Sequence, residues 1–350
     1  MLHEMFVLLL ALLLAPPFVW AFRTLPRERW QIMASVPVSR SASGRWVGVN
    51  FTYYGLLIAS AFLLGLATYL LLLSSVGISL GVALGAAALI FVCSLPAARG
   101  VAWLVEGKRT TLTVSGGSFV ALLVSPIAIW LAVWAVGRHG ESMGEVLIPM
   151  MAALSVAAVL GEGTGRLACI SFGCCYGRPL KDFSPWTQRL FKRFSVSFAG
   201  ATKKISYASG MEGIEVFPIQ ALTVVVSTLI GLTGIYLFLE GHFVSALLLS
   251  VVGSQVWRIY SETLRADDRG PGNFTFYQQF SVVGILFTCA LAFLYPVTNE
   301  VRPDLFLGLR GLWDPVVILF AQLLGTVVFV YCGKSMVTAS VISLHVVDDA

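Results

Sequence analysis

The sequence predicts an all-α fold: a polytopic transmembrane helical bundle of about nine spans, with a basic loop or small head region between the fifth and sixth. Three observations carry this expectation. Hydrophobic residues make up 57% of the 350-residue chain, charged residues only 12%, and mean hydropathy is +0.86. A soluble domain carries about 25% charged residues, so this chain lacks the polar surface to cover a water-facing globule. The apolar residues are also gathered into runs long enough to cross a bilayer. The same composition excludes a disordered chain, a coiled coil and a secreted disulfide scaffold. A net charge of +5 would indicate nucleic acid only if concentrated on a soluble face, so no nucleic-acid partner is expected.

A span needs roughly 20 apolar residues. Seven uncharged stretches suffice: 5–22, 53–73, 76–98, 116–137, 216–239, 274–299 and 315–333. Two shorter runs, 146–160 and 243–257, span only by continuing into charged sequence, through Glu162 and Arg166 in one and Arg258 and Glu262 in the other. Nine helices are expected, eight being the alternative if one short run stops short. The first stretch resembles a signal peptide in position. No Lys or Arg precedes it, however, Pro16-Pro17 interrupts it and no small-x-small cleavage site follows, so an uncleaved helix is expected. The chain then divides into an N-terminal helix with a basic loop (1–49), a membrane core (50–296, with an extramembrane loop at 173–216) and a C-terminal helix with a tail (297–350).

Charge is distributed unevenly. The loops after spans one, three, five and seven hold 17 Lys plus Arg, and the opposite side holds 3. The positive-inside rule would put the rich side in the cytoplasm. Cys93, Cys289 and Cys332 lie in apolar runs and read as small hydrophobes. Cys169, Cys174 and Cys175 sit together at a helix end. A zinc site usually wants paired Cys-x-x-Cys or His partners, and no His lies within twenty residues of them. Neither metal nor cofactor is therefore expected.

Ionisable residues within spans usually face a cavity or each other. Glu162 and Arg166 share one helix face at i, i+4 spacing, and Arg258, Glu262 and Arg265 share another at i, i+4 and i+7. Gly161, Gly163 and Gly165 alternate with the first pair and allow a backbone or a ligand to approach closely. One outcome is a pair of ion pairs that lock the bundle and close the space between them. The other is an anionic site in which paired guanidinium groups grip a phosphate while the glutamates position them or act as bases. In a bilayer that phosphate belongs to a phospholipid head group. Ser115-Gly116-Gly117 opens a span, where free backbone N–H groups can bind an anion or simply cap a hinged helix. Tyr54-Gly55 opens another, and Gln220 and Gln279 lie near the starts of two more.

This ordered set of motifs, from about residue 50 to 290, resembles the bacterial prolipoprotein diacylglyceryl transferase family. That family opens its first core helix with Tyr-Gly, matched by Tyr54-Gly55, and carries His-Gly-Gly where this chain has Ser115-Gly116-Gly117. Its Gly-Arg signature closing on an aromatic residue, Gly and Arg is matched from Gly165-Arg166 to Tyr176-Gly177-Arg178. Its His-Pro-x-Gln becomes Phe217-Pro218-Ile219-Gln220, and its Arg-x3-Glu-x2-Arg helix end is Arg258, Glu262 and Arg265, followed by Gln279.

The resemblance implies a transferase of the bacterial inner membrane, facing the periplasm, with phosphatidylglycerol as donor and a prolipoprotein signal-peptide segment as acceptor. It implies that a diacylglyceryl group moves to the acceptor cysteine thiol and glycerol phosphate departs. Arg166 and Arg258 then carry catalysis with Glu162 and Glu262, while Tyr54, Ser115, Gly116, Gly117, Arg178, Gln220, Arg265 and Gln279 bind substrate. Two features depart from the family. Both family histidines are replaced, by Ser115 and Phe217, and the signature's Asn and Glu give way to Cys169 and Cys174-Cys175. The charge bias also opposes the family's orientation. A different acceptor for the same lipid, or a non-catalytic lipid-binding relative, therefore stands beside the first reading.

Overall fold

The computed structural model describes residues 1–106, 114–136, 143–267, 274–296 and 301–346. Lys108, Arg109, Arg138 and Arg269 of the charge count, and His139, lie outside them. The helices are α1 (Leu2–Thr24), α2 (Tyr53–Ser75), α3 (Leu80–Glu106), α4 (Val114–Ala135), α5 (Met143–Phe172), α6 (Pro185–Phe191), α7 (Lys204–Ser209), α8 (Ile219–Leu239), α9 (Phe243–Glu262), α10 (Phe276–Leu294), α11 (Leu305–Leu312) and α12 (Pro315–Gly333). The strands are β1 (Ile32–Arg40), β2 (Trp46–Thr52), β3 (Val196–Ser197), β4 (Glu215–Val216) and β5 (Lys334–Ile342). Among the described residues nine helices are long and apolar enough to cross a membrane, all but α6, α7 and α11. The two short apolar runs became α5 and α9, and both reach full length by carrying their charged residues as the final turns. Helix α1 runs unbroken through Pro16 and Pro17.

Helix α5 is the centre of the bundle. Of its most apolar stretch 78% is buried, against 6% for α1, because α2, α8 and α9 all pack on it. Small residues permit this. Gly161 lies against the Ala61 carbonyl and Gly65 of α2, while Gly163 lies against Ser227 of α8. A Cβ at Gly163 would overlap the Ser227 side chain. These glycines admit neighbouring helices, as small-residue interfaces do in membranes.

A sheet that the composition concealed joins the two ends of the chain. Strand β2 pairs antiparallel with β1 on one side and with β5 on the other. Asn50 ties all three strands: its Oδ1 accepts from Ser35 Oγ (2.6 Å) and Ser340 Oγ (2.5 Å), and its Nδ2 donates to Thr338 Oγ1 (3.2 Å). The short, weakly alternating strands are hidden in a sequence dominated by longer helical runs.

The segment between α5 and α8 forms a small head with its own core. Tyr176, Val196, Phe198, Ile205 and Val216 pack with Leu25 and Ile170, and β3 pairs with β4. Lys203, expected in the basic loop, is instead fully buried. Its Nζ donates to the carbonyls of Ser171 (2.6 Å) and Leu25 (3.2 Å), at the ends of α5 and α1. Orphan carbonyls at helix C-termini favour a cation there, so this lysine pins the head to two spans. Burial lowers its ammonium from the usual 10.5 to about 8, opposed by Glu28.

Between those two values the unfolded chain still binds the proton that the folded protein has released. Stability therefore rises as pH increases from about 8 to 10.5. Thermal unfolding in detergent at about pH 7 and pH 10 should show this rise in the wild type and not in Lys203→Met. The variant should also lose about 1–3 kcal/mol from the two unpaired carbonyls.

Candidate functional site

Two neighbouring segments project matching series of side chains. Helix α5 carries Glu162, Arg166 and Cys169 at i, i+4 and i+7. Helix α9 and the turn after it carry Arg258, Glu262 and Arg265 at the same spacing. Such spacing stacks each series along one face. Glu162 Oε1 accepts from Arg166 Nη2 at 3.2 Å and also from Arg258 Nη2 across the α5–α9 interface. The three side chains are 24%, 18% and 11% exposed. Further along, Arg265 Nη1 lies 3.5 Å from Glu262 Oε1, and its Nε and Nη2 grip both oxygens of Asp267 at 2.8 and 2.7 Å. Asp267 went unrecognised in the sequence, although it follows Arg265 by two positions.

Direct Arg–Glu pairs are thus present, as the locking alternative requires, but they do not close the space. A cavity of about 140 Å³ remains between α4, α5, α9 and α10. Glu162 and Arg258 line it with Ser115, Ser118, Ser254 and Gln255. Phe119 and Phe280 stack at 4.6 Å on its α4–α10 wall. One carboxylate shared by two guanidinium groups leaves a net positive charge beside these hydroxyls. A larger depression of about 520 Å³ lies at the opposite end of α2, near Ser74 and Arg310. It gathers none of the buried intramembrane charges, so the smaller cavity is the chemically equipped one.

The remaining predicted residues fall into three groups. Ser115 and Gly116 are buried in the first turn of α4, where Ser115 reaches the cavity, and Gly117 packs toward Ala98 of α3. Tyr54 lies in the first turn of α2 with its ring against Phe172 (5.9 Å). Gln220 is buried and its Nε2 donates to the Cys174 carbonyl (3.0 Å). Arg178 is exposed and covers the Phe183 ring at 4.7 Å, away from Glu162, while its backbone links Leu264 and Phe217. Gln279 is exposed. Its neighbour Gln278 turns inward, capping α10 and donating to the Ile259 carbonyl at 3.0 Å. Phe217 stacks on Phe183 (4.9 Å) and meets Phe191 (4.6 Å), so it fills a small core.

The three cysteines grouped at one helix end in the sequence converge through their sulfurs in the structure. Helix α5 ends where Gly173 adopts φ +71°, and Cys175 follows in the same left-handed region at φ 57°, which a residue with a Cβ rarely adopts. This double reversal brings the Sγ atoms of Cys169, Cys174 and Cys175 within 4.8 Å of one another. Tyr176 and Arg178 then pair with Ala266 and Leu264, which sets Arg265 alongside. Hydrogen bonds from Cys169 and Cys174, with Arg265 and Arg166 adding, hold Cys175 well below the usual thiol range against the effect of its burial. Hydrogen bonds with Cys169 and Cys175, then burial, push Cys174 up.

Removing one member of a buried ion pair typically costs 3–5 kcal/mol. Glu162→Ala leaves two guanidinium groups facing each other and should destabilise the protein by about that amount. Arg178→Ala, at the exposed position, should cost no more than about 1 kcal/mol, the size of an exposed cation–π contact. Thermal unfolding of the two purified variants in one detergent compares them.

The family model described as prolipoprotein diacylglyceryl transferase matches residues 45–294. That range contains α2 to α10, the head, and every residue of the two stacked series. No curated protein and no solved structure matched the chain. A match over well more than half of the chain, which carries nine membrane-length apolar helices among its described residues, places it in the prolipoprotein diacylglyceryl transferase family of membrane transferases.

Proposed function

We propose that the protein is a phosphatidylglycerol-dependent diacylglyceryl transferase of the bacterial inner membrane, with a prolipoprotein cysteine as acceptor. The observation that carries this reading is the carboxylate of Glu162 shared between Arg166 and Arg258 beside a cavity into which Ser115, Ser118 and Ser254 also reach. The pair holds more positive charge than Glu162 neutralises, so it has an affinity for a phosphodiester that a balanced pair lacks. Guanidinium forks match phosphate oxygens in shape as well as charge.

The reaction is a displacement at a glycerol carbon. The acceptor sulfur forms a C–S bond, the C–O bond to phosphate breaks, and the electron pair leaves with glycerol phosphate. Negative charge grows on that leaving group, so arginines fixed in a low-dielectric site act mainly by stabilising it. Glu162 holds both arginines at the required separation. Glu262 fixes Arg265, one turn nearer the head. Ser115, Ser118 and Ser254 offer hydroxyls to the head group, while Tyr54, Gly116, Gly117, Arg178, Gln220 and Gln279 remain substrate-binding candidates by resemblance. The basic loops share the site's face, and we assign that face to the periplasm, where anionic head groups would hold the loops despite the orientation rule.

A second reading has its own observation. Phe217 stands where the family has a histidine and is consumed in aromatic packing, so the family's acceptor-activating group is missing. Under that reading the same lipid is used with a different acceptor.

The purified protein should release glycerol phosphate from labelled phosphatidylglycerol when given a peptide with a lipobox cysteine. Arg166→Lys and Arg258→Lys should each reduce the rate by roughly 10²-fold or more. Mass spectrometry of the peptide and of cellular acceptors separates the two readings. No lipidated product of any kind, from protein that still binds the lipid, would sink both and leave a lipid-binding relative.

A further inference from the structure

The cysteine cluster begins one turn beyond Arg166 and runs into the segment 173–178, which packs against Phe217, one of the two positions where the family has a histidine. We infer that Cys169, Cys174 and Cys175 hold a zinc-class cation whose fourth position takes the acceptor thiol. This rests on the transferase reading above and names how that reaction would activate its acceptor.

Geometry is the first support. Zinc–sulfur bonds of about 2.3 Å in a tetrahedral set bring sulfurs to roughly 3.8 Å of one another. The three Sγ atoms already lie within 4.8 Å, so small side-chain rotations complete the set, and none of the three is in a disulfide. Three protein ligands with an open fourth position is the pattern of catalytic zinc, whereas structural zinc takes four.

The backbone is the second support. Residues 173–178 are pinned on every side. Ile205 N–H donates to the Gly173 carbonyl (3.0 Å), Gln220 to that of Cys174 (3.0 Å), and Ala266 N–H to that of Tyr176 (3.1 Å). Left-handed geometry at a non-glycine residue costs roughly 1–2 kcal/mol, yet Cys175 adopts it, and this turns its sulfur back toward Cys169.

Charge is the third. Three thiolates around a dication leave one negative charge in a buried place. Arg166 and Arg265 both act on Cys175, which supplies the compensation such burial needs. The cluster is soft and sulfur-only, which selects zinc over magnesium or calcium.

The chemistry then needs no separate base. A coordinated thiol is deprotonated outright, so the acceptor's proton passes to solvent as its sulfur binds. The metal-bound sulfur uses its electron pair to form the C–S bond to the glycerol carbon. The C–O bond breaks toward phosphate, and glycerol phosphate leaves as a dianion beside Arg166 and Arg258. The thioether product is neutral and a weak ligand, so it leaves the metal.

The test titrates cobalt(II), a spectroscopic stand-in for zinc, into the full-length reduced protein in detergent. One equivalent should bind with a thiolate-to-cobalt charge-transfer band, and the visible bands should shift when a lipobox cysteine peptide is added but not with its serine analogue. Cys174→Ser and Cys169→Ser should lower metal content at least tenfold, while Cys93→Ser, at an exposed site elsewhere, should retain it. The wild-type titration decides even if the cluster variants fold poorly. Absence of binding with three freely reactive thiols, or a disulfide among them, overturns the inference. So does unchanged transfer after metal stripping, which leaves the transferase reading intact. Metal and peptide binding without glycerol phosphate release upholds the site and defeats that reading instead.

Discussion

One carboxylate, Glu162, faces two guanidinium groups on adjoining helices, and much of the bundle is arranged around that arrangement. Charges this close to the hydrocarbon are stable only with partners. Each partner must therefore be delivered by a helix that approaches within side-chain reach. Gly161 and Gly163 let α2 and α8 press onto α5, while α9 brings Arg258 from its other side. The small residues and the buried charges are two halves of one solution. The glycines make a centre dense enough to hold ionised groups, and the groups fix which helix faces which.

The head extends the same logic beyond the membrane. Lys203 ties the ends of α1 and α5, and the backbone pairs between 176–178 and 264–266 join the end of α5 to the end of α9. Two helices that meet through Glu162 within the bilayer thus meet again through their extensions. The site between them is framed at both levels. Arg258 lines the intramembrane cavity, whereas Arg166 and Arg265 both act on Cys175, so Arg166 stands between the cavity and the cysteines.

Much of this was legible in the sequence, and the limits have physical causes. Nine spans followed from apolar run lengths, because the bilayer imposes a length that composition reveals. Glu162, Arg166, Arg258 and Arg265 were identifiable because charge in an apolar run is rare and i, i+4 spacing is unambiguous on a helix. The sheet was not legible: β5 lies nearly three hundred residues from its partner β2, and local sequence does not report so distant a pairing. Gln279 and Gln278 were indistinguishable until the Thr275 cap fixed the phase of α10. The three cysteines were visible together at a helix end, but the convergence of their sulfurs depends on two turns with positive φ, at Gly173 and Cys175, which spacing cannot encode. Lys203 looked like loop charge because burial of a lysine depends on two carbonyls supplied by distant helix ends.

Strand β2 has consequences for how the protein is made. It follows β1 directly in the chain, but its other edge is paired only by β5, which comes after α12. Until then the chain carries an open strand edge, the kind of surface that recruits unintended partners. Asn50 sharpens the requirement, since Ser340 and Thr338, two of its three partners, come from that final segment. Closing the sheet therefore couples α2, which follows β2 directly, to α12, which leads into β5, so the two spans are tied outside the helical bundle as well as within it.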